Sequence, residues 1–271
     1  MSKVGRGRSF ISSEIRKNFS SFYIFGDLST TKEDLVGKND LTYTAGSPSL
    51  YYGKNGIGEK FDGSKYLRNT SISQTVSNVP VFIYARFHID DQASGDLRIA
   101  SLGSTSSPAY QIDMVREIGT GSKVLGRVIH SDLVPPNDVS YTFISKSDAD
   151  YNCSCVFSLR SDALGTLRLF ANGLMRIVDV NRTINIGSGS ALNAVTLGAG
   201  TSGADGFVGG ISYFGWGTGA PDEDFFRRLS YDPDSVIFQK SYRPVKASLP
   251  SNKQRRTFSP QGTRMGSRQA T

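Results

Sequence analysis

Residues 207–216 read Phe207-Val208-Gly209-Gly210-Ile211-Ser212-Tyr213-Phe214-Gly215-Trp216. Their aromatic and β-branched side chains predict a long strand near the end of the chain. An acidic stretch follows, in which Pro221 suits a first helical position and Asp222-Glu223-Asp224 suit the positive end of a helix. Phe225, Phe226 and Leu229 would form its apolar face. Asp232-Pro233 would stop it before Val236-Ile237-Phe238, so this stretch predicts one strand and one short helix.

Two upstream segments carry turn signals. Residues 56–67 read Gly56-Ile57-Gly58-Glu59-Lys60-Phe61-Asp62-Gly63-Ser64-Lys65-Tyr66-Leu67, in which Phe61-Asp62-Gly63 predicts an inward aromatic and a tight turn before a strand beginning near Tyr66. Residues 168–178 read Arg168-Leu169-Phe170-Ala171-Asn172-Gly173-Leu174-Met175-Arg176-Ile177-Val178. Because both central positions of a type I′ turn need a positive φ, Asn172-Gly173 predicts a two-residue hairpin.

The rest of the chain favours an all-β fold. A content of 29 glycines and 20% charged residues suits many short strands. Ser12–Arg16 could open one helical turn, and Thr30–Gly37 reads as a loop. The predicted strands are Leu41–Thr44, Val79–Ile89, Leu97–Leu102, Tyr110–Val115, Val124–Ile129, Ser140–Ile144, Cys153–Leu159, Leu167–Phe170, Met175–Val180, Ala194–Leu197 and Phe207–Trp216.

In their order and spacing, these segments resemble the laminin-G-like, concanavalin A-like jelly-roll sandwich. The closing helix, Asp232-Pro233 and Val236-Ile237-Phe238 resemble the form found in tailed-bacteriophage virion proteins. The resemblance covers residues 25–240 and implies an antiparallel β-sandwich with one short C-terminal helix. The composition of the two ends adds extended terminal arms to this prediction. Such a fold recognises surfaces and polymers more often than it makes or breaks bonds.

The charge is divided unevenly along the chain. Residues 1–17 hold five basic groups and one acid, residues 240–271 hold eight basic groups and no acid, and residues 18–239 carry a net charge of −5. We therefore predict a basic N-terminal arm at 1–20, a sandwich at 21–240 and a basic C-terminal arm at 241–271. An arm of this kind could dock on an acidic protein, stay solvated, or bind nucleic acid, and we favour protein docking. The predicted partner-binding residues are Arg6, Arg8, Arg243, Lys246, Lys253, Arg255, Arg256, Arg264 and Arg268.

Catalytic chemistry finds little support in the sequence. Glycoside hydrolysis uses two carboxylates that face one sugar, and no strand carries such a motif. Asp222-Glu223-Asp224 and Asp232-Pro233-Asp234 lie at a helix start and a turn, so they are better explained as caps. Asp148 and Asp150 lie in a loop-like stretch. His88 and His130 lack a nucleophile context and suit strands. Cys153 and Cys155 read as small core residues.

Two binding features remain as alternatives. The calcium ligands of the resembling family have no clear counterpart, although Asp62 and Asp205 are candidates; Asp62 could instead cap its own turn. Tyr51-Tyr52 and Trp216 could stack on sugar rings, although Trp216 could instead pack in the core.

The predicted function is that of a non-catalytic structural protein of a bacteriophage virion. It would be a capsid decoration or cement protein, or a head–tail accessory subunit, that binds neighbouring virion proteins through its sandwich and arms and forms a homo-oligomer. The alternative is a tail-fibre or adsorption protein that binds host surface glycans. We expect no cofactor and no metal. We also expect no membrane span, because no run of about 18 apolar residues exists.

Overall fold

The computed structural model describes residues 10–53, 56–76, 80–90, 97–104, 110–117, 123–130, 137–141, 149–159, 164–183, 190–219 and 221–239. Within these residues, the strands form two eight-stranded sheets and one two-stranded ribbon, and all their pairings are antiparallel. The predicted all-β sandwich is therefore confirmed.

The first sheet is centred on the predicted late strand. Strand β1 (Ser21–Ile24) pairs with one end of β18 (Val208–Thr218), and the sequence-distant β8 (Val81–Ile89) pairs along its other side. The spatial order is β15 (Leu174–Thr183), β14 (Leu164–Ala171), β13 (Ala149–Leu159), β8, β18, β5 (Gly56–Asp62) and β4 (Leu50–Gly53).

The second sheet is built from the other half of the strands. Its spatial order is β12 (Asn137–Tyr141), β11 (Lys123–His130), β10 (Tyr110–Glu117), β9 (Leu97–Gly103), β17 (Ala194–Leu197), β6 (Tyr66–Asn69), β3 (Leu41–Ala45) and β2 (Thr31–Lys32). The ribbon pairs β16 (Ser190–Leu192) with β7 (Gln74–Val76).

The main core lies between the two sheets. Successive side chains of a strand point to opposite faces, so alternate residues of each strand enter the core. In β8, Ile83 and Phe87 belong to this core, whereas Phe82 and Tyr84 belong to a second core on the other face of the same strand. Strand β8 is therefore buried on both faces.

Three short helices form the second core against the first sheet. They are α1 (Ser13–Asn18), α2 (Glu223–Tyr231) and α3 (Pro233–Ile237). The ring of Phe226 lies 5.1 Å from that of Phe82 and 5.3 Å from that of Phe170. None of the helices in the described part of the chain is long and apolar enough to cross a bilayer.

The predicted C-terminal helix exists, but it is two helices. Asp222 is the N-cap of α2, accepting the N–H of Phe225 at 2.7 Å, so Pro221 lies before the helix rather than at its first position. Asp232 ends α2 as predicted. It also caps α3 by accepting a hydrogen bond from the N–H of Ser235 at 3.4 Å. Pro233 is the first residue of α3, whereas the sequence predicted only that Asp232-Pro233 ends a helix.

Two predicted turns are confirmed. Asn172 and Gly173 have φ values of 49° and 81° and join β14 to β15. Gly63 has a φ of 89°, Phe61 is fully buried before it, and β6 begins at Tyr66. Cys153 is buried in β13, as expected for a core residue, whereas the side chain of Cys155 lies outside the described residues.

The predicted N-terminal arm differs from expectation in its described part. The helical turn suggested by Ser12–Arg16 is α1, and Ile11, Ile15 and Phe19 are buried in the second core rather than extended into solvent. Residues 1–9, with Arg6 and Arg8, lie outside the described residues, as do residues 240–271 with the remaining predicted arm residues Arg243, Lys246, Lys253, Arg255, Arg256, Arg264 and Arg268.

A buried ionic cluster links the two sheets at one edge. The carboxylate of Glu59 in β5 accepts a hydrogen bond from Lys65 Nζ at 2.7 Å. It also lies 3.0 Å from Nζ of Lys32 in β2. All three side chains are almost completely buried. Burial together with the Glu59 carboxylate raises the pKa of the nearby Tyr43 hydroxyl.

Candidate ligand pocket on the second sheet

The outer faces of the two sheets differ in chemistry. Helices α1, α2 and α3 cover much of the first sheet with apolar side chains. On the second sheet, by contrast, a row of polar residues crosses six strands at one register. The row consists, in spatial order, of Thr42, Arg68, Thr196, Ser101, Asp113 and Arg127.

The row faces away from the main core. Its chain neighbours Leu67, Val195 and Ile112 belong to that core, and side chains alternate along each strand. A row of hydrogen-bonding groups on an outer face can bind a polar ligand wherever it is open to solvent. The two ends of the row differ in this respect.

Asp113 lies in the closed part of the row. Gln111 Nε2 donates to its two carboxylate oxygens at 2.5 and 2.6 Å, and Arg98 Nε lies 3.5 Å from Oδ2. Complete burial raises the pKa of Asp113 to about 6, although the Arg98 charge opposes this shift.

The loop between β17 and β18 closes this part of the row. The hydroxyl of Thr201 donates to Gln111 Oε1, and Ser101 Oγ donates to the carbonyl of Ala199 at 3.1 Å. Arg98 Nη2 pairs with Asp205 at 3.1 Å. Protein groups therefore occupy the hydrogen-bonding positions at this end, and Ser101 and Thr196 are fully buried.

The other end of the row opens into a pocket of about 280 Å³, which we call the β3–β6 pocket. It is lined by Asp40, Thr42, Thr44, Arg68, Asn69, Thr70 and Ser71. Each of these side chains carries a hydroxyl, amide, carboxylate or guanidinium group. The pocket can therefore donate hydrogen bonds to a polar ligand and accept them from it, and Arg68 supplies a positive charge.

Arg68 is held from two sides. Its Nε donates to Thr196 Oγ1 at 3.3 Å, and its guanidinium carbon lies 5.8 Å from the centre of the Tyr66 ring. These contacts engage Nε and one face of the guanidinium. The two Nη groups remain as its donors towards a ligand.

Hydrogen bonds also fix the wall of the pocket that Asp40, Asn69 and Ser71 form. Asp40 Oδ1 accepts the N–H of Asp34 at 2.8 Å. Asn69 Nδ2 donates to the carbonyl of Asp40 at 2.9 Å, while its Oδ1 accepts the N–H of Ser71 at 2.7 Å. The wall is therefore fixed by its own hydrogen bonds before any ligand arrives.

The predicted sugar-stacking residues lie elsewhere. Trp216 is 2% exposed and packs in the main core, so the core interpretation is confirmed and the stacking interpretation is wrong. Tyr51 lies on the first sheet, with its ring stacked 4.7 Å from that of His88. Tyr52 is 71% exposed on the same edge strand, β4, and does not line the β3–β6 pocket.

The two calcium candidates have other partners. Asp62 caps its own turn, as one interpretation predicted: its Oδ1 accepts the N–H of Ser64 at 3.0 Å and that of Lys65 at 3.1 Å. The hydrogen bond from the Ser64 hydroxyl lowers the pKa of Asp62. Asp205 pairs with Arg98. Within the described ranges, no group of three or more His, Cys, Asp or Glu side chains could hold a metal ion.

The two histidines and Asp150, which were considered as catalytic candidates, lie in strands. His88 lies in β8 and His130 in β11, as predicted. Asp150 is the second residue of β13, so the loop prediction was wrong there, and Asp148 lies outside the described residues. The arm residues Arg6, Arg8 and Arg243–Arg268 cannot be placed against the pocket, because they also lie outside the described residues.

Sequence reasoning missed the β3–β6 pocket. It predicted strands at Leu41–Thr44 and near Tyr66 without pairing them. The signal was present in the alternation of both segments, since Thr42, Thr44 and Arg68 occupy polar positions of two half-buried strands and Thr70 follows the second strand directly. Only the antiparallel pairing of β3 with β6 brings these positions together.

Known structures share this fold at low sequence identity. Domain 4 of AbnA, a GH43 extracellular arabinanase from Geobacillus stearothermophilus in complex with arabinotriose, has a TM-score of 0.57 and 17% identity over 79% of this chain and 98% of that domain. Trypanosoma rangeli sialidase in complex with the inhibitor DANA has a TM-score of 0.55 and 13% identity over 80% of this chain.

The present chain covers only 33% of the sialidase. No family model and no curated protein matches the sequence. At these identities the likenesses concern the fold alone: the chain is a jelly-roll-like antiparallel β-sandwich.

Proposed function

We propose that this chain is a non-catalytic recognition module that binds glycans in the β3–β6 pocket. The observation that carries the proposal is the lining of the pocket, which consists of seven polar residues from strands β3 and β6 and the segments next to them. A sugar presents several hydroxyl groups, each of which needs a donor or an acceptor when it leaves water. The pocket offers both kinds of group on a wall that its own hydrogen bonds hold in place.

We propose a non-catalytic role because the same lining holds too few carboxylates for glycoside hydrolysis. Asp40 is the one carboxylate among the described residues that line the pocket. Glycoside hydrolysis usually needs two carboxylates on the scissile bond. The arabinanase domain aligns with this chain over 98% of the domain's own length, and its structure is a complex with arabinotriose. That complex supports a binding role for a sandwich of this kind.

A glycan array probed with the full chain tests the proposal, followed by calorimetry on the best ligand. Thr44→Ala and Ser71→Ala should each weaken binding about 2- to 10-fold, the range for one lost hydrogen bond. Thr218→Ala on the first sheet is the matched control and should bind as the wild type does. An array without specific binding, or lining variants that bind normally, would contradict the proposal.

A second role is favoured by the charge distribution. We also propose that the chain is a structural subunit of a virion, such as a capsid decoration or head–tail accessory protein, that docks through its basic ends. The N–H of Gln239 donates to the carbonyl of Phe10 at 3.0 Å, and Ile11 pairs with Phe238. Phe10 and Gln239, the described residues to which the basic segments 1–9 and 240–271 are joined in sequence, are therefore neighbours, which suits a shared acidic partner.

Particle incorporation tests this second role. A chain ending at Gln239 and a full-length chain with all eight basic residues of 240–271 changed to Gln should both show a lower copy number in purified particles. Quantitative mass spectrometry of the particles gives that number. Undiminished incorporation of both variants would rule out docking through the C-terminal segment.

A further inference from the structure

We infer that the β3–β6 pocket selects a terminal sugar that carries a carboxylate, and that Arg68 binds that carboxylate. This inference rests on the proposed glycan-binding function and adds the chemical class of the ligand. It is carried by the contacts of Arg68, the size of the pocket and the closure of one side by the β17–β18 loop.

The first observation is that the charge of Arg68 has no acidic partner among the described residues. Its guanidinium contacts the hydroxyl of Thr196 and the ring of Tyr66, both of them neutral. The hydroxyl of Thr42 donates to the backbone carbonyl of Arg68 at 3.4 Å and leaves the guanidinium untouched. Several other arginines among the described residues are paired with acids. Arg98 lies 3.1 Å from Asp205, and Arg228 contacts both Glu14 and Asp224.

The second observation concerns geometry. Because Nε is already engaged by Thr196 and the ring of Tyr66 lies close to the guanidinium, the Nη groups are the donors left for the pocket. Two Nη donors in one plane match the two oxygens of a carboxylate, and bidentate pairs of this kind are among the stronger hydrogen bonds in proteins. A neutral hydroxyl would use only part of this capacity.

The third observation limits the size of the ligand. A volume of about 280 Å³ lies just below the range of about 300–1,000 Å³ that is usual for ligand pockets, which suits one sugar unit rather than a long chain. The row continues beyond Thr196 to Ser101, but both residues are fully buried and Ser101 donates to Ala199 of the loop. A glycan could not continue along the row in that direction, so the sugar unit that lies against Thr196 would be the end of a chain that runs along the row.

Asp40 is the group in the pocket that opposes an anionic ligand. Its Oδ1 accepts the N–H of Asp34, a bond that an asparagine side-chain oxygen can also accept. The inference therefore predicts opposite effects when the charge of each residue is removed. Arg68→Gln should weaken binding of an acidic sugar, whereas Asp40→Asn should strengthen it.

The test compares acidic probes with their neutral counterparts by calorimetry on the full chain. The pairs are 3′-sialyllactose with lactose, and an oligogalacturonate with a galacto-oligosaccharide of the same length. We expect one acidic probe to bind at least about tenfold tighter than its neutral partner, the effect of one hydrogen bond to a charged group. Arg68→Gln should abolish that preference, and Arg68→Lys should restore only part of it because a lysine cannot bind bidentately.

Each result has a defined meaning. Equal affinity for acidic and neutral probes, an equal loss for both in Arg68→Gln, or weaker acidic binding in Asp40→Asn would overturn the inference while leaving glycan binding intact. An array on which no glycan binds would instead overturn the proposed function. Thr196→Val, which removes only the acceptor of Arg68 Nε, is the second variant should Arg68→Gln fold poorly, and it should reduce the acidic preference by less.

Discussion

Asp34 shows how one buried side chain can organise a loop. It is fully buried, and its Oδ1 accepts the N–H groups of Phe22, Val36 and Gly37 at 3.0–3.1 Å, while its Oδ2 accepts that of Asn39 at 3.0 Å. The same residue donates its own N–H to Asp40 in the wall of the β3–β6 pocket. Loss of this carboxylate would leave four backbone donors without their acceptor.

We therefore expect Asp34→Ala to lower the free energy of unfolding by about 3 kcal/mol or more, because hydrogen bonds to a charged group are individually strong. Asp62→Ala is the matched control, since that carboxylate caps an exposed turn and its loss should cost about 1 kcal/mol. Urea unfolding of both variants measures the difference. If both variants lost the same free energy of unfolding, the buried hydrogen bonds of Asp34 would stabilise the protein no more than the exposed turn cap of Asp62 does.

Asp113 should make stability depend on pH. Its pKa is raised from 3.8 to about 6 in the folded protein, so between these values the folded state binds more protons than the unfolded chain. The free energy of unfolding must therefore fall as the pH rises through this interval. From the size of the shift, the fall amounts to about 3 kcal/mol at most.

The variant Asp113→Asn isolates this effect from the other titrating groups. Urea unfolding at intervals from pH 4 to pH 7 should show the wild type losing stability relative to the variant as the pH rises. Parallel pH profiles for the two proteins would contradict the assignment. The comparison does not depend on the absolute stability of the variant, which also loses a charge beside Arg98.

Which residues could be found from sequence depended on where their partners lie. The capping role of Asp62 was predictable because Ser64 and Lys65 follow it directly in the chain. Asp113 was not, since its environment is set by Arg98 on a different strand and by complete burial. Arg68 belongs to the second kind, because Thr196 lies 128 positions away.

At the scale of elements, strand β18 shows how glycines let aromatic rings pack onto a sheet. A Cβ on Gly215 would lie 2.6 Å from atoms of both the Phe19 and the Phe22 rings. Phe19 follows helix α1, and Phe22 lies in β1, so the glycine sets how closely the N-terminal segment approaches the first sheet. The sequence predicted the strand but not this use of its glycine.

We expect Gly215→Ala to destabilise the protein by about 1–3 kcal/mol through overpacking of the two rings. A double-mutant cycle with Phe19→Ala tests the cause: the combined variant should cost less than the sum of the single changes, because the shortened side chain makes room for the new methyl group. Chemical denaturation gives all three values. Additive costs would mean that contact with Phe19 is not the source of the strain.

Elements with strong local signals were predicted well. The strands Leu97–Gly103, Tyr110–Glu117 and Lys123–His130 lie within two residues of the predicted bounds, since alternating and β-branched residues marked them. Strand β2 has only two residues and lies within a segment that reads as a loop. Such short strands exist because a neighbouring strand pairs with them, which a local pattern does not reveal.

At the scale of the whole molecule, the two ends of the described chain close the second core together. Ser12 N–H donates to the carbonyl of Ile237 at 2.8 Å, and Ile11 forms a bridge with Phe238. Helix α1 is also tied to α2 by Arg228, whose guanidinium contacts Glu14 and Asp224. The N-terminal segment and helix α3 therefore depend on each other for burial.

Truncation separates the part of the C-terminus that packs from the part that carries charge. A chain ending at Gln239 retains Val236 and Ile237, both buried, and loses eight basic residues, so its formal net charge changes from +7 to −1. We expect its melting temperature to stay within about 2 °C of the full chain, as for changes outside the packed core.

A chain ending at Asp232 keeps helix α2 and its cap but lacks α3, and with it Val236 and Ile237, which belong to the same second core as Ile11 and Ile15. Each buried aliphatic side chain contributes about 1.5–3 kcal/mol, so this variant should melt about 10 °C lower or fail to fold. Calorimetry at equal ionic strength compares the three chains. If the chain ending at Gln239 melted as low as the shorter one, residues 240–271 would have to contribute packing as well as charge, and a docking role for their basic groups would need to be reconsidered.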